Sequence, residues 1–200
     1  MLNPITKLIF LIKKPQLVII SDENDLIAKT LGFALNNSFF TFSIKKINAL
    51  DLFQKKIFIF PFDSEEIDFF LKHCSRTVFI VNQLKGKVKT EEFIRKLKDK
   101  DILFVNLDEE ETEALKEIHQ ENSFGFGFSK TADLILSDVT SDENSANFKV
   151  DFSGNIVPIW LTGSWSKKEI LAIGGVIITA LRFNLNLIQI SQVLRNYKKT

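Results

Sequence analysis

The chain has 200 residues, 45% of them hydrophobic and 26% charged, with 26 Lys+Arg against 25 Asp+Glu. That composition excludes a disordered chain and suits one domain with a sizeable core. A net charge of +1 gives no electrostatic reason to expect nucleic acid or a membrane surface as partner. The single cysteine, Cys74, excludes an intrachain disulfide framework, and two histidines, His73 and His119, leave little for a zinc site.

The first apolar stretch, Ile5 to Ile12, is short, interrupted by Lys7 and followed by Lys13, Lys14 and Pro15. No small-residue cleavage site follows, so it reads as a helix on the domain rather than a signal peptide. A later run, Ile170 to Leu181, is too short for the ~20 residues that span a bilayer. No membrane span is expected, and the expected compartment is a reducing cytoplasm.

The next 110 residues alternate two signals. Leu17–Ile20 predicts a buried strand, and Asp22 to Asn37 a helix with Ser21 or Asp22 as cap. Phe39–Ile44 predicts a strand and Asn48–Phe53 a short helix. Ile57–Phe60 predicts a strand stopped by Pro61, and Ser64 opens a helix that turns Ile67, Phe70 and Leu71 inward, with Glu66 or Ile67 at capping-box distance. Then come a strand at Thr77–Val81, a helix at Glu91–Leu97, a strand at Ile102–Val105, a helix at Glu109–His119 and a strand at Ser123–Phe126. Strands that are apolar on both faces and alternate with helices predict an α/β fold: a mainly parallel sheet of about six strands with helices on both faces.

After Phe128 the rhythm changes. Leu134–Val139, Phe148–Phe152 and Ile156–Leu161 are separated by Ser141 to Asn144 and Ser153 to Asn155, which is turn chemistry. They predict a small antiparallel β-meander packed at one end, followed by helices at Lys168–Phe183 and Leu187–Tyr197. The expected organisation is one domain over 1–200: an α/β core at 1–130, the meander at 131–163 and C-terminal helices at 164–200.

The order Phe126-Gly-Phe-Ser-Lys-Thr-Ala-Asp-Leu-Ile-Leu-Ser-Asp-Val139, then Phe148–Phe152, Ile156–Leu161 and Gly163, resembles the central, ATP-binding domain of the Mur ligases. It is most similar to the branch that adds D-alanyl-D-alanine to UDP-muramyl tripeptide. Upstream, Asn106-Leu-Asp108, Glu66–Leu71 and a strand ending at Asn82 fall in register with that family. The resemblance implies a P-loop-like central domain from peptidoglycan synthesis. It reaches only that domain, since the family's flanking substrate-binding and amino-acid-binding domains have no counterpart in these residues.

The resemblance also implies ATP and Mg²⁺, and here the sequence departs from it. A phosphate loop needs glycines, a lysine and a hydroxyl after the first strand. Ile20 to Thr30 has no glycine and carries Asp22, Glu23 and Asp25, while Lys29-Thr30 lies about two helical turns too late. Ile57–Phe62 stands where the family has a Mg²⁺-binding Glu, and Leu84–Lys87 where it has a His. No lysine is assigned as the carbamylated residue, no catalytic or metal-binding residue is expected, and neither ATP nor Mg²⁺ is expected as cofactor. Asn106 and Asp108 are the candidates for a vestigial nucleoside contact; the alternative is a strand-end Asn with a helix-capping Asp.

Four smaller features admit bland readings. His73 and Cys74 end a helix, and adjacent helical residues point apart, against a nucleophilic pair. Asp108 to Glu111 suits a helix N-terminus. Trp160 and Trp165 either pack the meander or bind a partner. Phe60 and Phe62, with those two rings, are the candidates for a contact surface; the alternative, favoured for Phe60, is that they fill the core.

The expectation is therefore a Mur-ligase-like pseudoenzyme acting by binding, through self-association or contact with a cell-wall ligase. The alternatives are a subunit of a split ATP-dependent ligase and a nucleotide-independent binder of a UDP-sugar precursor.

Overall fold

The computed structural model describes residues 4–36, 41–43, 57–64 and 66–199. Its elements in chain order are α1 (Pro4–Lys13), β1 (Gln16–Ser21), α2 (Leu26–Asn36), β2 (Thr41–Ser43), β3 (Ile57–Pro61), α3 (Ile67–His73), β4 (Arg76–Val81) and α4 (Lys87–Ile94). They continue with β5 (Ile102–Asn106), a 3₁₀ stretch (Glu113–Asn122), β6 (Ser123–Gly127), β7 (Leu134–Ser141), β8 (Ser145–Phe152), β9 (Asn155–Thr162), α5 (Lys167–Arg182) and α6 (Leu187–Arg195). The helix expected at Asn48–Phe53 lies outside the described residues.

The strands form one sheet in the order β2-β3-β1-β4-β5-β6-β7-β8-β9. Pairing is parallel from β2 through β7 and antiparallel from β7 to β9. The parallel strands are buried on both faces, and their side chains sort by the two-residue period of the strand. Val18, Ile20, Val78, Ile80, Ile102 and Phe104 face α2, α5 and α6, in the largest apolar cluster. Ile19, Phe79, Val81, Leu103 and Val105 face α3, α4 and the 3₁₀ stretch. Leu17, Phe58 and Phe60 face Phe10 of α1 and Phe70 of α3.

The meander lies at one end, as expected, and continues the sheet itself. β7 pairs with β6 through only two residue pairs, Phe126↔Leu134 and Gly127↔Ile135, before turning into the antiparallel hairpins. The β8–β9 turn is the tight one expected: Ser153 (φ 53°) and Gly154 (φ 78°) both have positive φ, as a type I′ hairpin demands. On edge strand β9, Ser191 of α6 donates from Oγ to the Pro158 carbonyl at 2.9 Å.

Several expected boundaries move. Helix α2 starts at Leu26, four residues late, because Ser21 finishes β1 and Asp22 turns inward, so neither caps it. Ser64 does not open α3: its hydroxyl donates to the Pro61 carbonyl, and the N-cap position falls to Glu66, whose side chain makes no capping hydrogen bond. Ile67, Phe70 and Leu71 do face inward. Helix α4 begins at Lys87, directly after Gly86 in the left-handed region (φ 82°). The helix expected at Glu109–His119 is instead a turn followed by 3₁₀ structure, kinked at His119. Among the described residues, no helix is long and apolar enough to cross a membrane.

Candidate functional site

In an open α/β sheet, ligands bind at the carboxyl ends of the strands where successive connections leave towards opposite faces. Here the connection after β1 enters α2 on one face, and those after β3 and β4 enter α3 and α4 on the other. The crevice therefore lies over the ends of β1, β4 and β5.

That crevice is stitched by the protein's own side chains. Ser21 donates from Oγ to the Gln83 carbonyl at 2.7 Å, and Gln83 Oε1 accepts from the Glu23 N–H at 3.0 Å. Asn82 donates from Nδ2 to Asp22 Oδ1 at 3.0 Å. Asn106 donates from Nδ2 to the Asn82 carbonyl at 2.9 Å and accepts the Asp108 N–H on Oδ1 at 2.9 Å. The Thr112 hydroxyl donates to the Asn106 carbonyl, and Asp108 Oδ2 accepts the Phe128 N–H at 2.6 Å. One chain of bonds thus runs from the β1–α2 loop across β4 and β5 to the end of β6.

Asp22 is the most perturbed group in it. Only 8% of the residue is exposed, and Oδ2 is buried without a hydrogen-bond partner. Burial pushes its carboxyl above the usual carboxylate range, and the Asn82 amide and Glu23 N–H offset only part of that. A buried acceptor with no donor is costly. While that carboxyl is ionised, ionised phosphate oxygens could not relieve it, because both partners only accept.

Two clefts border the crevice. One, of about 620 Å³, is lined by Glu23, Asn24, Asp25 and Lys29 together with Glu169, Tyr197 and Lys199. The other, of about 540 Å³, is lined by Leu84 and the carboxylate run Asp108 to Glu111. That run lies in turns ahead of a 3₁₀ stretch rather than at the start of an α-helix, so its expected role at a helix N-terminus does not hold. Asp108 likewise caps no helix, since its carboxylate serves the Phe128 N–H.

The remaining sequence candidates separate clearly. Thr30 is fully buried with its hydroxyl unpartnered, and Lys29 lines the larger cleft. Phe60 and Phe62 are in the core, at 4% and 1% exposure. Lys85 pairs with Asp63 at 3.1 Å where the family pattern has a histidine. Gly163 leads into a capping box in which Ser166 and Glu169 close the first turn of α5. Cys74 is buried beside Thr77 and burial pushes its thiol up, while the His73 ring lies against Phe69. Trp165 is buried and donates from Nε1 to the Thr162 carbonyl; of the four candidate contact-surface rings, three fill the core and Trp160 is exposed, at 50%. Among the described residues, no group of three or more His, Cys, Asp or Glu is placed to hold a metal ion.

Asn106 and Asp108 were legible as candidates; Gln83 was not. The available signal was a polar residue at the carboxyl end of β1, β4 and β5, at Asp22, Asn82 and Asn106, which places three polar side chains along one crevice.

A parallel sheet with β1 between β3 and β4, lengthened by a meander and backed by two C-terminal helices, is the fold of the Mur ligase central domain. Among solved structures the chain is similar to MurF from Acinetobacter baumannii (TM-score 0.75, 12% identity, covering 98% of this chain and 48% of that one). It is equally similar to MurF ligase from Thermotoga maritima in complex with ADP (TM-score 0.75, 16% identity, 98% and 51% covered). A pseudomurein peptide ligase type C from Methanothermus fervidus follows the same fold (TM-score 0.68, 12% identity, 94% and 50% covered). The chain spans about half the length of these proteins. No family model and no curated protein sequence matches it.

Proposed function

We propose that this chain is a domain of Mur ligase lineage that has lost ATP and Mg²⁺ chemistry and acts by binding a partner, a cell-wall ligase or a second copy of itself. The observation that carries this reading is the β1–α2 loop. It has no glycine, its Glu23 N–H is committed to Gln83, and it presents Asp22 with an acceptor that already lacks a donor. A phosphate cradle works the other way, with several free N–H groups converging on the anion. The carboxylates of Glu23, Asp25 and Asp108 to Glu111 on the bordering clefts add like-charge repulsion. The residues present therefore do not fit a Mg²⁺-bound nucleoside triphosphate, and no reaction step is assigned to them.

The side chains of Asn106 and Asp108 are already engaged within the crevice, which supports a structural role over a nucleoside contact. Calorimetric titration with Mg²⁺-ATP tests the proposal. The expected result is no saturable heat up to millimolar ligand. A dissociation constant in the micromolar range, about 8 kcal/mol of binding, would overturn it.

A further inference from the structure

Four of the chain's exposed large apolar side chains sit on one helix of ten residues: Ile5 (61% exposed), Leu8 (58%), Leu11 (36%) and Ile12 (71%), all on α1. At 3.6 residues per turn they fall within one arc of about 120°. Phe10, roughly opposite the centre of that arc, is 1% exposed and anchors the helix through Phe70, with ring centroids 4.9 Å apart. The helix is thus apolar on two sides, and only one of them faces the domain.

Lysines border the outward stripe. Lys7 lies about 40° beyond one edge, its ammonium 5.4 Å from the Phe69 ring. Lys13 lies about 80° beyond the other, exposed, and exposed Lys14 follows the helix. From Met1 to Ser21 there are three lysines and no carboxylate, whereas the rest of the chain is slightly acidic. The near-neutral total conceals this local positive charge.

We propose that α1 docks on an anionic lipid surface, lying in the interface with Ile5, Leu8, Leu11 and Ile12 among the acyl chains and the lysines at the headgroups. Lysine is depleted from the cores of protein–protein interfaces. Beside an anionic bilayer, by contrast, a long aliphatic stem lets the ammonium reach the headgroups, and each such cation adds attraction. A stripe of four side chains makes the attachment reversible, on the order of the ~10⁴ M⁻¹ given by a single myristoyl chain. This inference is independent of nucleotide loss, since α1 lies on the face of the sheet opposite α2.

Vesicle sedimentation decides it, using phosphatidylglycerol mixed into phosphatidylcholine at about 1:2, and phosphatidylcholine alone. The intact chain is expected to bind the anionic vesicles at least roughly tenfold more tightly than the neutral ones, and to lose most of that binding between about 0.05 and 0.5 M NaCl. The double variant Leu8→Glu, Ile12→Glu is expected to bind at least roughly tenfold more weakly. Both positions are exposed, so its urea midpoint should stay close to that of the parent. The lipid and salt comparisons need no variant and remain decisive if the double variant misfolds. Binding indifferent to lipid charge overturns the proposal. So does a dimer in light scattering that the double variant dissolves while neither protein binds vesicles, because the stripe then belongs to a second copy of the chain.

Discussion

Replacing Asn106 separates a structural crevice from a ligand-binding one. The side chain is 1% exposed, donates to the Asn82 carbonyl and, at 3.5 Å, to Asn82 Oδ1, and accepts the Asp108 N–H. Asn106→Ala leaves a buried carbonyl without its donor, at about 1–3 kcal/mol. It also frees an N–H on an exposed residue that water can reach, at about 0.5–1 kcal/mol. The expected loss is about 2–3 kcal/mol, which for a chain of this length lowers Tm by about 5–10 °C. Urea unfolding followed by fluorescence of the buried Trp165 should show a lower midpoint at unchanged slope. Asn106→Asp is the sharper variant. It keeps the acceptor for Asp108 but sets a carboxylate oxygen against the Asn82 carbonyl, so burial and that contact raise its folded pKa above the unfolded ~3.9. A group with a raised folded pKa contributes stability at pH below its unfolded value and loses it as pH rises through the folded one. The aspartate variant should therefore be least destabilised near pH 4 and increasingly so towards pH 8. An alanine cost under about 1 kcal/mol, or an aspartate cost that does not vary with pH, would refute this account of the network.

Asp22→Asn is expected to stabilise the chain at pH 8 by up to about 1 kcal/mol, because it removes a carboxylate whose raised pKa penalises folding above the unfolded value. Urea midpoints at pH 5 and pH 8 should converge relative to the parent, and a loss at pH 8 would contradict the assigned burial. Gly127→Ala would place Cβ 2.2 Å from Asp108 Oδ2, which also accepts the Phe128 N–H. A cost of about 2 kcal/mol or more is expected in calorimetric melting. Ser166→Ala removes the hydroxyl of the capping box on α5 and should cost about 1 kcal/mol by the same measurement.

The parallel core was legible because burial on both faces leaves continuous apolar runs, and Leu17–Ile20, Ile57–Phe60 and Ile102–Val105 each became a strand within a residue or so. The two C-terminal helices were read from their apolar runs, and the structure closes the start of each with a capping box, Ser166 with Glu169 and Asn186 with Gln189. Less was legible where tertiary bonds outcompete local preference. Ser21 and Asp22 have the chemistry of helix caps, yet Gln83 and Asn82, some 60 residues away, take their side chains. The Asp108 to Glu111 run has a helix-start composition, but Asp108 is held by Phe128 and Thr112 by Asn106, which bends the segment into turns. Phe60, Phe62 and Trp165 were read as either core or contact-surface rings from their places at strand ends and in loops, and burial decides for the core at all three. For the crevice, the glycine-free loop and its acidic residues were visible in advance, but the orphaned Asp22 oxygen was not, because it depends on what surrounds the carboxylate in three dimensions.

The proline on β9 bears on how this protein behaves when crowded. A sheet that ends in a strand of eight residues offers a row of open backbone groups onto which a neighbouring chain could pair. Pro158 has no N–H to offer, and the Ser191 hydroxyl already holds its carbonyl. Growth of the sheet past β9 is thereby interrupted at its middle, beside the exposed Ile156 and Trp160 that would otherwise favour stacking. Pro158→Thr, by restoring a donor among β-forming neighbours, would turn a terminated rim into a template, and fibril formation at raised concentration would report it.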